Sequence, residues 1–139
     1  MTTDDIENEI VAKGLTAPRV TPESIAAKIK SEFYFTAADG AQFVGERDEV
    51  LPGILPEALG LLTFCVLVME NGFTITGQSA CASPENFDAE LGKKIARANA
   101  VNQIWPLEGY LLRELLAEDA RREASGLWPP RPIVGPEEC

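Results

Sequence analysis

Histidine is absent from this chain. With it go the usual general base near neutral pH, the commonest zinc ligand and the usual middle member of a nucleophilic triad. Carboxylate chemistry is left formally open, but spacing marks out no pair of acids from those that face water. An enzyme is therefore not expected, and no cofactor or metal is implied. Cysteine is scarce: Cys65, Cys81 and Cys139 form an odd set with no Cys-x-x-Cys spacing for metal or redox work. The residues read as holding no signal peptide and no apolar run of spanning length, so a reducing cytoplasm is the expected location and no membrane partner is expected. Basic charge is also in short supply. Twelve lysines and arginines face 22 acids, a net charge of −10 distributed along the chain. Broad nucleic-acid binding needs a basic face and is disfavoured; solubility is the plain reading, and a local cationic pocket for a small anion stays possible.

A chain of 139 residues with polar or proline-rich ends holds one hydrophobic core. The expected layout is an acidic helix and linker over 1–18, one α+β domain over 19–120, and a proline-rich tail over 121–139. Residues 3–14 read as a helix capped by Thr3, with a thin stripe of Ile6, Ile10 and Val11, ended by Gly14. Thr16-Ala17-Pro18-Arg19-Val20 is a linker. Thr21-Pro22-Glu23 then supplies a cap, a first-turn proline and an acid, opening a second helix whose apolar face is Ile25, Ile29 and Phe33. Asp39-Gly40, Pro52-Gly53 and Pro56 punctuate residues 35–59, which are expected to be a loop with little regular structure.

The core-forming material follows. Leu61 to Met69 is almost continuously apolar, and Phe73 to Ala80 alternates with threonine. Joined by Asn71-Gly72, the two predict a β-hairpin. A two-residue turn would set Glu70 opposite Phe73, Cys65 opposite Gln78 and Cys81 opposite Leu62. Cys65 and Cys81 would then lie on opposite faces, so no bridge between them is expected. One face would collect Leu62, Phe64, Val66, Val68, Phe73 and Ile75 and pack on helices. The other would collect Cys65, Leu67 and Met69 beside Thr74, Thr76 and Gln78 and meet another element or subunit.

Ser83-Pro84 reads as the cap and first-turn proline of a long helix, along which Leu91, Ile95, Ala98, Trp105, Leu112 and Leu116 recur at helical spacing. Pro106 predicts a kink or a break into two helices. The fold class is α+β: an antiparallel β-hairpin or small sheet on a long kinked C-terminal helix pair, with N-terminal helices. Gly126-Leu127-Trp128-Pro129-Pro130-Arg131-Pro132 reads as an extended tail, either docking on a neighbour or disordered.

On the long helix Lys93 and Arg97 share a face, Lys94 flanks them, and Asn99 and Asn102 follow with amides able to read polar edges. Such a set suits phosphate, with arginine clamping oxygens and lysine adding a point charge. Ordinary surface pairing, with Glu90 bonding Lys94 and Lys93 facing solvent, is the commoner cause of such charges. Gly92, Ala96 and Ala100 form a small-residue stripe for close approach by another helix or a ligand, packing being the commoner cause. Asn86 and Phe87, expected just inside the helix start, offer an amide and a ring, or simply a cap and an anchor. Trp105 and Tyr110 suit a pocket or the core.

Asn71-Gly72-Phe73, Gly77-Gln78-Ser79-Ala80-Cys81, Pro84-Glu85-Asn86-Phe87-Asp88, Gly92-Lys93-Lys94-Ile95-Ala96 and Ile104-Trp105-Pro106-Leu107-Glu108-Gly109-Tyr110-Leu111 together resemble a family of small accessory proteins from tailed phages and prophages. Arg19-Val20-Thr21-Pro22-Glu23 and Tyr34-Phe35-Thr36-Ala37 fit too, so the likeness covers most of residues 19–117. The hairpin followed by a helical pair containing Gly-(Lys/Arg)-x-x-Ala is also similar to phage anti-defence sponges, the Thoeris and CBASS antagonists. Those small oligomers hold cyclic nucleotides or a cyclic ADP-ribose derivative between subunits without cleaving them.

That likeness implies a homo-oligomer in the cytoplasm of an infected or lysogenic host, binding a nucleotide-derived signal. Lys93 and Arg97 would meet its phosphates, Asn86 and Phe87 its base and ribose, with Lys94 and Asn99 beside them. The rival expectation is an acidic inhibitor that binds a host protein directly. A third is a structural or regulatory phage component.

Overall fold

The computed structural model describes residues 2–15, 17–49 and 53–126. The protein is α+β, built around a three-stranded antiparallel sheet in the order β1-β2-β3 with a long C-terminal helix. The described residues form two compact units, one from within residues 28–104 and one from those before 28 together with those after 104.

In the unit formed by the two chain ends, α1 spans Thr3–Ala12. Its cap is Thr2, one residue earlier than expected: the Thr2 hydroxyl accepts from the Asp5 amide while the Asp5 carboxylate accepts from the Thr2 amide. Gly14, at φ +67°, ends the helix as expected. The Gly14 amide donates to the Val11 carbonyl and the Leu15 amide to the Ile10 carbonyl, the paired bonds of a left-handed glycine stop. Arg19, in the linker, reaches back to Glu7 at 2.8 Å. Helix α2, Pro22–Lys28, buries Ile25, which is 2% exposed.

The second helix stops at Lys28, where a longer one was expected, and Ile29–Thr36 is strand β1. Ile25, Ile29 and Phe33 do fall at helical spacing, but Ser31, Phe33 and Phe35 also alternate. Pairing with β2 decides the contest, because it adds a ladder of backbone bonds and a sheet core that a lone amphipathic turn lacks. The described residues of 35–59 also hold more regular structure than expected. Helix α3 spans Ala37–Arg47, and a 3₁₀ turn spans Glu57–Leu61. Asp39 is a capping residue here: its carboxylate accepts from the Thr36 amide and the Thr36 hydroxyl accepts from the Asp39 amide. Gly40 follows inside the helix, at a tolerable cost of about 1 kcal/mol.

Strands β2, Leu62–Met69, and β3, Thr74–Ala80, form the expected hairpin in a different register. Leu62 pairs with Ala80 and Cys65 with Gly77, one residue away from the two-residue-turn alignment. The loop is Glu70-Asn71-Gly72. The Gly72 amide donates to the Met69 carbonyl, and the Met69 amide to the Phe73 carbonyl. Gly72 takes φ +88°, a value few side chains tolerate, while the Asn71 side chain accepts from the Phe73 amide.

A one-residue shift exchanges every face of a strand. Ile75 and Gly77 therefore join Cys65, Leu67 and Met69 on the buried face, and Thr74, Thr76 and Gln78 join Phe64, Val66 and Val68 on the other. The expectation is reversed for β2 alone: Cys65, Leu67 and Met69, not Phe64, Val66 and Val68, are the buried residues, while Ile75 lies on the buried face and Thr74, Thr76 and Gln78 on the other, as expected. The register of the shorter loop would have driven Thr76 and Gln78 under the helix, leaving polar groups to desolvate. By the same shift Cys81 falls in phase with Cys65, not opposite it, and both are free thiols.

Helix α4 spans Ala89–Ala124. The Asp88 carboxylate caps it, accepting from the Glu90 and Leu91 amides, whereas Ser83-Pro84 opens only a 3₁₀ turn, Pro84–Asn86. Asn86 and Phe87 thus precede the helix. Its buried face is Gly92, Ala96, Ala100 and Ile104, while Leu91 and Ile95, expected in the core, are half-exposed. The helix is not broken at Pro106. Asn102, whose carbonyl the missing proline N–H would have served, is exposed and open to water. The Trp128–Pro132 tail lies outside the described residues.

Candidate functional site

Sheet and helix are brought together by the absence of side chains. A Cβ on Gly77 would collide with the Ala96 carbonyl oxygen and the Ala100 backbone nitrogen, and would stand 2.8 Å from Ala100 Cβ. A Cβ on Gly92 would lie 3.2 Å from Thr63 Oγ1 and 3.9 Å from the Phe87 ring. The small-residue stripe is thus occupied by close packing on the sheet. This seats α4 so low that its flanking side chains reach over both margins of the sheet.

On the β1 side, the Arg97 Nε donates to Glu32 Oε1 at 2.8 Å, a bond between residues 65 apart in sequence. The other Glu32 oxygen accepts from the Tyr34 hydroxyl at 3.0 Å. Arg97 makes no further hydrogen bond among the described residues, so its terminal amino groups stay available. The bond to Glu32 raises the already high Arg97 pKa, against the opposing effect of partial burial. Burial, and then the bond to the Glu32 carboxylate, push the Tyr34 hydroxyl well above its ordinary value. Cys65 beneath them has no exposed surface; burial raises its thiol pKa, partly offset by Tyr34.

On the β3 side, Asn99 Nδ2 donates to the Gln78 carbonyl at 2.8 Å and Gln103 Nε2 to the Thr76 carbonyl at 2.7 Å. In the hairpin the Met69 amide donates to the Phe73 carbonyl and the Cys81 amide to the Leu61 carbonyl, so the backbone groups of odd-numbered β3 residues face β2 and those of even-numbered ones face outward. The helix therefore caps two outward carbonyls of an edge strand.

The six residues expected at a site are divided by this arrangement. Lys93 and Arg97 share the helix flank next to β1; Lys93 lies 3.6 Å from Glu90, so the acid pairs with it and not with Lys94. Lys94 is exposed and has no ionic partner among the described residues. Phe87 is half-buried beside Gly92, and Asn86 is exposed on the preceding turn. Asn99 sits on the opposite flank with its amide engaged at β3, apart from the cations. Glu32 and Tyr34 complete the site and were missed, because sequence periodicity placed them on a helix. Gln103 was missed as well; its spacing of four from Asn99 was the available signal.

No described helix is long and apolar enough to cross a membrane. Comparison with curated proteins and with solved structures finds no significant match. A family model does match, over residues 20–116, and its span takes in the sheet, the loop at Gly72, the Asp88 cap and the helix flank with Lys93 and Arg97. By that match, over well more than half its length, the chain belongs to the phage protein (N4 Gp49/phage Sf6 gene 66) family.

Proposed function

We propose that this phage-family protein is a non-catalytic binder of a small anionic nucleotide signal, acting by stoichiometric capture in the host cytoplasm to blunt a Thoeris- or CBASS-type defence. The observation that carries the reading is the bond from Arg97 to Glu32. It fixes the guanidinium through Nε and leaves the terminal amino groups for a phosphate, the fork that arginine presents best. Lys93, one turn earlier on the same flank, adds a second positive charge.

Both resident ion pairs are partly exposed, and such pairs contribute about 1 kcal/mol or less, so an incoming phosphate can displace Glu90 from Lys93 and share Arg97 with Glu32 at little cost. Lys94, Asn86 and Phe87 lie within the same stretch of helix and preceding turn and would contact the remainder of the ligand. Asn99 is assigned to the sheet margin instead. Enclosure between copies of a homo-oligomer would exclude water from the ion pairs and tighten binding.

Calorimetry with cyclic dinucleotides and with cyclic ADP-ribose, paired with mass spectrometry of small molecules released on denaturation, tests the assignment. Arg97→Ala is expected to weaken binding by roughly 10- to 100-fold, as loss of a charged hydrogen-bonding fork implies. Unchanged affinity would remove Arg97 from the site. Recovery of a host protein, with no small molecule released, would favour the direct inhibitor instead.

A further inference from the structure

The two margins of the sheet are treated differently. On β3, Asn99 and Gln103 occupy the outward carbonyls of Gln78 and Thr76. On β1 the odd-numbered residues Ser31, Phe33 and Phe35 pair with Val68, Val66 and Phe64, whose backbone groups point away from β3. The outward groups of β1 are therefore those of Glu32 and Tyr34, and neither makes a further backbone bond among the described residues. An exposed strand edge is a template for another strand.

We propose that β1 is a self-association edge. Two copies pair their β1 strands antiparallel about a twofold axis at Phe33, joining two three-stranded sheets into one of six strands. This inference stands independently of the ligand reading.

Self-complementarity identifies a second copy as the occupant. With Phe33 opposite Phe33 of the second copy, Glu32 lies opposite Tyr34 in both halves, and the outward N–H and C=O of all four residues pair at once. No like charges are opposed, and Arg97 already neutralises Glu32 in each copy. Moving the axis to Glu32 would set two carboxylates face to face, which is destabilising. Moving it to Tyr34 would require the Thr36 amide, which donates to the Asp39 carboxylate.

The same register fits the side chains. Phe33 is 56% exposed and Phe35 41%, and Phe35 contacts Phe64 with ring centroids 5.6 Å apart. Two Phe33 rings meeting across the axis extend that apolar face, where aromatic cross-strand pairs are favourable.

The test uses the full chain with Cys81→Ser and Cys139→Ser, leaving buried Cys65 in place. In a non-hydrogen-bonded antiparallel pair the two Cα atoms lie about 4.5 Å apart, within disulfide reach. Phe33→Cys should cross-link to a dimer under mild oxidation. Phe35→Cys should not, because the two copies of residue 35 are displaced by about 14 Å along the strands. Sedimentation velocity should show a dimer for the parent and a monomer for Phe33→Asp, with unchanged circular dichroism. A parent that stays monomeric at all concentrations, or cross-linking at position 35 in preference to 33, overturns the proposal. Should Phe33→Asp fail to fold, the two cysteine variants decide alone.

Discussion

Gly77 lies directly beneath Ala96, so close that the glycine has no room for even a methyl group against the Ala96 carbonyl oxygen. The obstacle is backbone, which cannot swing aside as the tip of a flexible side chain does. Gly77→Ala should therefore destabilise the protein by about 1–3 kcal/mol, the usual cost of overpacking a tight contact. Urea unfolding followed by circular dichroism measures it, and a variant as stable as the parent would show that the helix seats less closely than described.

The amides at the β3 margin hold two carbonyls that would otherwise face a passing strand. Asn99→Ala and Gln103→Ala should each cost about 0.5–1.5 kcal/mol, the net worth of a hydrogen bond. The double variant should also aggregate faster than the parent, since it uncovers an edge. Light scattering during heating checks the second expectation separately from the first.

Stability should fall on the alkaline side. Cys65 and Tyr34 have ordinary pKa values of 9.0 and 10.0, and both are raised in the fold. Above those ordinary values the unfolded chain releases protons that the folded chain retains, so the unfolded state gains. The contribution is complete below about pH 9 and is lost as pH rises toward the folded values. Urea midpoints measured from pH 7 to 11 should decline after about 9, and Tyr34→Phe should flatten the part beyond about 10. A decline that begins near neutrality would point to other groups.

The start of α4 depends on Asp88, which serves two helix amides. Asp88→Ala should cost about 1 kcal/mol, within the range for lost helix caps, whereas Ser83→Ala should change little because Ser83 makes no side-chain capping bond. Thermal melts of the two variants give the comparison.

What the sequence disclosed depended on how far apart the deciding residues lie. The hairpin was legible because Asn71-Gly72 and its apolar flanks are contiguous, yet the register was not. That choice rests on Gly77 fitting beneath Ala96 and Ala100 and on Ile75 being buried, which turn statistics cannot see. The strand Ile29–Thr36 was masked by the four-residue spacing of Ile25, Ile29 and Phe33, and α3 by reading Asp39-Gly40 as a turn when Asp39 caps a helix. Lys93 and Arg97 were recognisable as neighbours on one helix. Glu32, on the far side of the hairpin in sequence, carried no local mark that it would hold the arginine.

Cys65 sits with none of its surface exposed, between sheet and helix. Its sulfur is thus a built-in clock for breathing of the core, since a thiol reagent must wait until α4 lifts from the strands. Timing that reaction across the variants above would separate those that loosen the native state from those that merely weaken it against denaturant.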